Sequence, residues 1–513
     1  MNRQIREGKI IDTFANIMRN HARVRPDAAA LTFDGKTQSF GALDRLSSKC
    51  ANVLLSKGVE QGGRVAILSK NRAEYFAMIF AANKIGATLV CLNWRLSTRE
   101  IKEILVDAAP SLLLIDETGA AALSDGNFEG ETLHFGATFE ALCETASETD
   151  PGYEGRADDV ALILYTSGTT GMPKGVMLTN EGMSYTRNLA EAWGMTDRSV
   201  NLVAMPLFHV GGCGYGSSTM LAGGHTVLMA EVDIAAIIEL IRRHAVTHTF
   251  LVPAVVQSLL NAPEVAGADL SSMELLMYGA APMGDVLLRR AMETLGCDFI
   301  HAYGMTESSG TVVCLGPELH DPDGPNAHLL KSCGVAMPWV ELRVVDPGTG
   351  ANMPTGEVGE VWLRSPMIMK GYWRNAKATA EAIVDGGWFR TGDAAYLDEA
   401  GHMFLFDRFK DMIISGGENI YPAEIENVLN GHEAVAQVGV IGVAHERWGE
   451  TPLAIVVPKE GARVTDEELL SFTRSHLARY KCPSRIVFAE TLPRNASGKL
   501  LKGELRKTYG GAI

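Results

Sequence analysis

The sequence contains no Cys-x-x-Cys pair. Its eight cysteines (Cys50, Cys91, Cys143, Cys213, Cys297, Cys314, Cys333 and Cys482) stand singly. That spacing excludes the common zinc and dithiol redox patterns and predicts reduced, buried thiols. No apolar run reaches the roughly 18 residues that a membrane-spanning helix needs. The N-terminus lacks the apolar core of a secretory signal. Arg3, Arg6, Arg19, Arg23 and Arg25 make it basic, but Glu7, Asp12 and a helical stripe of Ile10, Phe14 and Ile17 argue against a transit peptide. The chain ends in Gly-Gly-Ala-Ile, which is not a peroxisomal tripeptide. Positive charge is scarce: 46 Lys and Arg against 61 Asp and Glu give a formal charge of −15. Such a balance disfavours nucleic acid or an anionic membrane as partner. Repeats at solenoid periods and low-complexity tracts are also missing. A soluble, cytoplasmic protein is the expectation, without a transmembrane segment.

What is present is globular: 513 residues, 46% hydrophobic and 21% charged, enough for one large composite body and a smaller one. Strands and helices alternate from about 28 to 116. Ala29–Phe33 turns at Asp34-Gly35, Phe40–Leu55 is helical in period, and Arg64–Leu68, Ala73–Ile85, Thr88–Leu92, Thr98–Asp107 and Ser111–Ile115 continue the pattern. This alternation predicts a parallel sheet with helices on its faces. Residues 118–155 are acidic and weakly periodic, and read as a linking surface segment. A second alternating block runs from Val160 to Ala302. From Val340 to Phe406 the period drops toward two, which predicts a small antiparallel subdomain with a hairpin at Asp398–Gly401. Asp407–Asp411 carries four charges in five residues and reads as an exposed connection. A compact α+β unit of about a hundred residues follows.

Tyr165-Thr-Ser-Gly-Thr-Thr-Gly-Met-Pro-Lys-Gly175 is the most chemically loaded stretch. A short buried strand leads into four hydroxyls (Thr166, Ser167, Thr169, Thr170), three glycines including Gly168, and Lys174. Glycines let backbone N–H groups close on an anion, hydroxyls add donors, and the lysine adds charge. It is not a Walker loop, because Pro173 stands where that pattern needs its second glycine and no Ser or Thr follows Lys174. A P-loop kinase is thereby excluded. Five further stretches follow in order: Pro206-Leu-Phe-His-Val-Gly-Gly212, Tyr303-Gly-Met-Thr-Glu-Ser308, Trp388-Phe-Arg-Thr-Gly-Asp393, Asp407-Arg-Phe-Lys-Asp-Met-Ile-Ile-Ser-Gly-Gly-Glu-Asn419 and Pro493-Arg-Asn-Ala-Ser-Gly-Lys499.

Together these resemble the ordered motifs of the adenylate-forming superfamily, over nearly the whole chain. The resemblance implies an α/β fold. A large N-terminal body (1–406) of β-α layered sheets with a small antiparallel β subdomain would join, through a hinge at 407–411, a mobile α+β C-terminal lid (412–513). It implies ATP (leaving AMP), Mg²⁺, and CoA as co-substrate. By resemblance, Thr166 to Lys174 holds the β- and γ-phosphates, Thr306 the α-phosphate, and Glu307 the Mg²⁺, a hard cation suited to carboxylate. Tyr303 and Gly304 would face the adenine, with Gly279, Ala280 and Ala281 as the opposite wall. Asp393 would accept the ribose hydroxyls, and Arg408 would contact ribose or phosphate, whereas Trp388 is expected to pack. Lys499 matches the lysine that bridges carboxylate and α-phosphate during adenylation. Lys410 stands at the hinge, and Gly416 and Gly417 face the pantetheine tunnel.

His209 resembles the residue at the mouth of the acyl pocket. Amino-acid-activating relatives carry an aspartate just after the matching aromatic; here His209 and Val210 stand instead, so an amino-acid substrate is not expected. The named walls (Phe208, Val210, Gly212, Gly214, Ala280, Ala302, Gly304) are small or apolar, and no cation is evident for a second carboxylate. The expectation is a medium- or long-chain fatty acid converted to acyl-CoA through acyl-AMP. An aryl or hydroxycinnamate–CoA ligase is the alternative. A luciferase-like oxidation shares the adenylation residues, and a non-catalytic nucleotide-binding homologue is the reading from a different class. The state expected is monomer or homodimer.

Overall fold

The computed structural model describes residues 13–123, 128–166, 173–281, 283–408, 411–415, 418–445, 447–494 and 500–511, with backbone alone at 407, 408 and 419. They form an α/β fold of four sheets. A nine-stranded sheet runs from Val335–Ala336 at one edge through Gly310–Leu315, Asp298–Met305, Leu275–Gly279, His248–Leu251, Val200–Val203, His225–Leu228 and Ala29–Phe33 to Lys36–Ser39. A seven-stranded sheet orders Gly371–Tyr372, Lys174–Thr179, Val160–Thr166, Thr88–Leu92, Arg64–Leu68, Leu112–Ile115 and Glu131–His134. The expected antiparallel subdomain is the sheet of Glu341–Val345, Gly359–Arg364, Trp388–Leu397, Ile383–Val384 and Met403–Arg408. The last sheet, built on the long hairpin of Val435–His445 and Gly449–Pro458, belongs to the C-terminal α+β unit.

Helices Phe40–Ser56, Ala73–Lys84 and Val210–Leu221 share one hydrophobic core with strands from both large sheets. Ala73–Lys84 is apolar nearly all round and buries ten of its twelve residues, as a helix enclosed on every side must. Its one cation, Lys84, is fully buried and matched: Nζ donates to Asp44 Oδ1 at 2.7 Å and Ser48 Oγ at 2.8 Å, and reaches Asp150 at 3.1 Å. A buried charge persists only with such partners.

Two expectations are corrected by the structure, and one helix was not expected. Residues 118–155 are not a linking surface segment: they hold helices Glu117–Ala122 and Ala137–Thr145 and the edge strand Glu131–His134. Leu133, Phe139 and Cys143 are buried there, spaced too widely among acidic residues to show a period. The two large sheets are mixed rather than parallel, because Lys174–Thr179 returns antiparallel beside Val160–Thr166 and Gly310–Leu315 beside Asp298–Met305. Helix Val210–Leu221 was not legible, since Gly211, Gly212, Gly214 and Gly216 lower its helical propensity by about 1 kcal/mol each; burial holds it instead. All eight cysteines are free; five are buried as expected, but Cys297, Cys314 and Cys482 are only partly buried, and Cys50 and Cys143 have sulfurs 3.9 Å apart.

Burial pushes the imidazoles of His209, His225 and His301 down to about 4. The unfolded chain takes up protons there below about pH 6.5, and the folded chain only near pH 4, so acidification through that window favours unfolding. The melting temperature is expected to fall from pH 7 to pH 5. His301→Gln should show a shallower fall, whatever its absolute melting temperature; an unchanged slope would remove His301 from this account.

Candidate active site

Thr166 and Lys174 are paired at the turn end of a β-hairpin, next to the pair Tyr165 and Gly175. Ser167, Gly168, Thr169 and Thr170 lie outside the described residues; Thr166 and Lys174 bracket them. The hairpin is anchored below by the Tyr165 hydroxyl, which donates to the Asp107 carboxylate. The Asp107 carbonyl accepts from Trp373 Nε1 at 3.0 Å and from Arg374 at 3.1 Å. Across from Lys174, Thr306 and Glu307 open a single 3₁₀ turn directly after strand Asp298–Met305. Ser308 Oγ locks that turn, accepting from the Met305 N–H at 3.0 Å, and Ser309 takes the left-handed φ of +55°. The Glu307 carbonyl accepts from the Met369 N–H at 2.8 Å, and its Oε1 accepts from Tyr372 Oη at 3.1 Å.

The adenine and ribose candidates converge on the carboxyl ends of neighbouring strands, where open α/β sheets bind ligands. Gly279 pairs in register with Ala302, which places Gly279, Ala280 and Ala281 beside Tyr303. A Cβ on Gly279 would lie 2.2 Å from the Ala302 carbonyl oxygen, and one on Gly304 2.0 Å from that of Gly310. Close backbone approach therefore demands both glycines. Ala280 holds φ at +63°, a strain that clusters at functional sites. Tyr303 Oη donates to Asp393 Oδ2 at 2.7 Å, so adenine and ribose candidates are physically joined. Burial holds the phenol far above its ordinary value, which keeps it a donor. Asp393 pairs in register with Arg408, whose side chain is outside the described residues. Trp388 packs, with the Arg343 guanidinium 3.9 Å from its ring centroid.

On the acyl side, His209 precedes helix Val210–Leu221, its ring 4.6 Å from that of buried Phe208. His209 Nε2 is buried with no hydrogen-bond partner among the described residues. Its imidazole is neutral at pH 7, because burial lowers it and nearby Arg95 adds to the effect. Gly214 has Val210 Cγ2 at 3.3 Å from its Cβ position, and Ala302 is buried in the same core as Phe208, Tyr215 and Phe250. Gly212 departs from the expected wall: a Cβ there would meet the Pro206 carbonyl oxygen at 2.0 Å, so it is a close-packing glycine of the loop–helix junction. Lys410, Gly416, Gly417 and Lys499 lie outside the described residues.

Comparison with known proteins gives the family. The family described as AMP-binding enzyme matches residues 18–373, and its C-terminal domain matches 424–499. The chain belongs to the AMP-binding enzyme family. It is 38% identical to a fatty acid–[acyl-carrier-protein] ligase of Streptomyces coeruleorubidus over 96% of this chain and 95% of the relative. It is also 38% identical to a feruloyl-CoA synthase of an Amycolatopsis species, over 95% and 97%. O-succinylbenzoate coenzyme A synthetase from Bacillus subtilis, solved in complex with ATP and magnesium ion, superposes with a TM-score of 0.84 at 33% identity, covering 96% of this chain and 99% of that one. The enzyme is thus an acyl-CoA synthetase in class, an adenylate-forming ligase that uses ATP with Mg²⁺ and CoA. No helix among the described residues is long and apolar enough to cross a membrane.

The donor set suits that chemistry. Glu307, a single carboxylate that shares Tyr372 with the phosphate candidate Lys174, would suit Mg²⁺, which keeps water and substrate phosphate oxygens as its other ligands. Sequence reasoning missed Tyr372, which touches both Lys174 and Glu307, and Phe250, whose ring lies 3.4 Å from a Cβ on Gly211. It also missed Arg95, which enters only through the fold from the turn after Thr88–Leu92. A lone Tyr, Phe or Arg outside a motif carries no signal of its own.

Proposed function

We propose that this enzyme activates a medium- or long-chain fatty acid and transfers it to CoA. A carboxylate cannot be displaced by a thiol directly, because oxide is too poor a leaving group. The acid oxygen attacks the α-phosphorus of ATP, the bond to pyrophosphate breaks, and the mixed anhydride acyl-AMP forms. The CoA thiolate then attacks the acyl carbon and AMP departs. Lys174 and the Thr166–Thr170 loop hold the β- and γ-phosphates, Thr306 orients the α-phosphate, and Glu307 is the protein oxygen for Mg²⁺. That ion supplies charge neutralisation on the triphosphate. Tyr303 and Gly279–Ala281 sandwich the adenine while Asp393 and Arg408 hold the ribose. Lys499 bridges the attacking carboxylate and the α-phosphate. Residues 1–406 form the body and 412–513 a lid; rotation at 407–411 about Lys410 then withdraws Lys499 and brings the Gly416-Gly417 tunnel to the thiol.

The observation that carries the substrate reading is the tail side of the site. Val210, Phe250, Tyr215 and Ala302 share one apolar core, and the one imidazole at the mouth is uncharged. An aryl or hydroxycinnamate acid is the second reading, favoured by the aromatic run Trp193–Tyr215–Phe250 with centroids 5.7 and 5.5 Å apart. Pyrophosphate release across C2–C18 and aromatic acids, with CoA or a holo carrier protein as acceptor, separates them. Fatty acids of eight carbons or more with CoA are expected to give the highest kcat/KM. A maximum on cinnamic-type acids would move the assignment to the aryl class.

The metal role is tested separately. Glu307→Gln keeps the shape and removes the charge, and is expected to raise the Mg²⁺ concentration for half-maximal turnover about tenfold or more, the size of one charged contact. The KM for the organic acid should stay within a few-fold. Unchanged Mg²⁺ dependence with a raised acid KM would place Glu307 in the acyl pocket instead.

A further inference from the structure

The two-residue strand Gly371–Tyr372 lies between the two halves of the phosphate site and pairs antiparallel with Lys174–Thr179, Tyr372 opposite Val176. Backbone bonds fasten it on both sides. Trp373 N–H donates to the Gly175 carbonyl at 2.7 Å, Lys370 N–H to that of Met177 at 2.9 Å, and Met369 N–H to that of Glu307 at 2.8 Å. Tyr372 N–H donates to Thr379 Oγ1 at 2.9 Å. The place of the Tyr372 ring is therefore set by the backbone of both halves. Its hydroxyl donates to Glu307 Oε1 at 3.1 Å, and Lys174 Nζ lies 4.9 Å from its ring centroid.

Lys174 and Glu307 carry opposite charges on facing elements. An ion pair between them would occupy the ammonium meant for phosphate and the carboxylate meant for the metal. Among the described residues they form no such pair; each meets a different part of the same ring, the cation its face and the carboxylate its hydroxyl. A cation over an aromatic face is attracted to it without forming a competing ion pair. A hydroxyl donor fixes the plane of a carboxylate without neutralising it. We propose that Tyr372 is a positioning residue, which keeps Lys174 and Glu307 apart and aimed at the triphosphate and its Mg²⁺. The proposal rests on the assignment of Lys174 to phosphate and Glu307 to metal.

The test is equilibrium binding of α,β-methylene-ATP to the full chain by calorimetry, once with Mg²⁺ and once with EDTA. Tyr372→Phe keeps the ring face and loses the hydroxyl. It should lose about tenfold of the Mg²⁺-dependent gain in affinity, the size of one hydrogen bond to a charged group, with binding in EDTA unchanged. Tyr372→Leu loses both contacts and should also bind about tenfold more weakly in EDTA, as Lys174 turns to Glu307. Adding Glu307→Gln to Tyr372→Leu should restore the EDTA affinity, a rescue that a merely structural role would not produce. A full Mg²⁺ gain in Tyr372→Phe, or no rescue in the double variant, overturns the proposal. Lys174→Ala and Glu307→Gln are run alongside. If both bind like wild type, the underlying assignment falls and the proposal with it; if both are impaired while Tyr372→Phe is normal, the proposal alone falls.

Discussion

Replacing Lys499 with alanine is expected to lower ATP–pyrophosphate exchange by about 10²–10³, the usual loss for one preorganised contact to charge developing in a transition state. The same variant should convert supplied acyl-AMP and CoA to thioester within a few-fold of wild type. The asymmetry follows from the proposed lid: a lysine bridging carboxylate and α-phosphate serves the first half-reaction and would obstruct the thiol in the second. The residues flanking its segment are firmly placed. Arg494 and Leu500 form an antiparallel bridge, Leu501 N–H donates to the Pro493 carbonyl at 2.9 Å, and the Leu500 side chain approaches Gly439 on the long hairpin. Arg506 pairs with the buried Asp411 at 2.8 Å, which ties the closing helix Lys502–Tyr509 to the proposed hinge. Equal loss in both half-reactions would remove Lys499 from an adenylation-only role.

Periodicity served the fold well wherever a single element buries one face. Helices Phe40–Ser56 and Thr98–Ala108 each end within one residue of their expected bounds, Phe40–Leu55 and Thr98–Asp107. It failed where order comes from the surrounding core against local propensity, or from long-range pairing. The glycine-bearing helix Val210–Leu221 owes its order to the core around it, and the strands Lys174–Thr179 and Gly371–Tyr372 exist through their neighbours in the sheet. For the same reason motifs single out Lys174, Glu307, Tyr303 and Asp393 as candidates but not the residue between the first two. Tyr372 acts through its register against Val176, and register is a property of the folded sheet. The Tyr303–Asp393 hydrogen bond joins positions 90 residues apart, which no local pattern encodes.

Ala302→Trp is expected to convert a chain-length preference into its reverse. Ala302 is 6% exposed, lies opposite Gly279 on one side and Cys314 on the other, and shares its core with Tyr215 and Phe250. If Ala302 lines the acyl channel as proposed, an indole there fills space meant for the acyl tail, and overpacking commonly costs about 1–3 kcal/mol. Each methylene denied its contact forfeits about 0.8 kcal/mol, roughly fourfold in kcat/KM. Losses should therefore compound along the series, falling by orders of magnitude for the longest acids while acetate and propionate are spared. The KM for ATP should stay within a few-fold, because successive strand residues face opposite sides and Tyr303 points away from Ala302. The measurement is kcat/KM over a homologous series of acids for both proteins, with the ATP KM taken at each length. A uniform loss at every length, with a raised ATP KM, would mean that the indole reached the adenine site through Tyr303, and Ala302 would then not line the acyl channel.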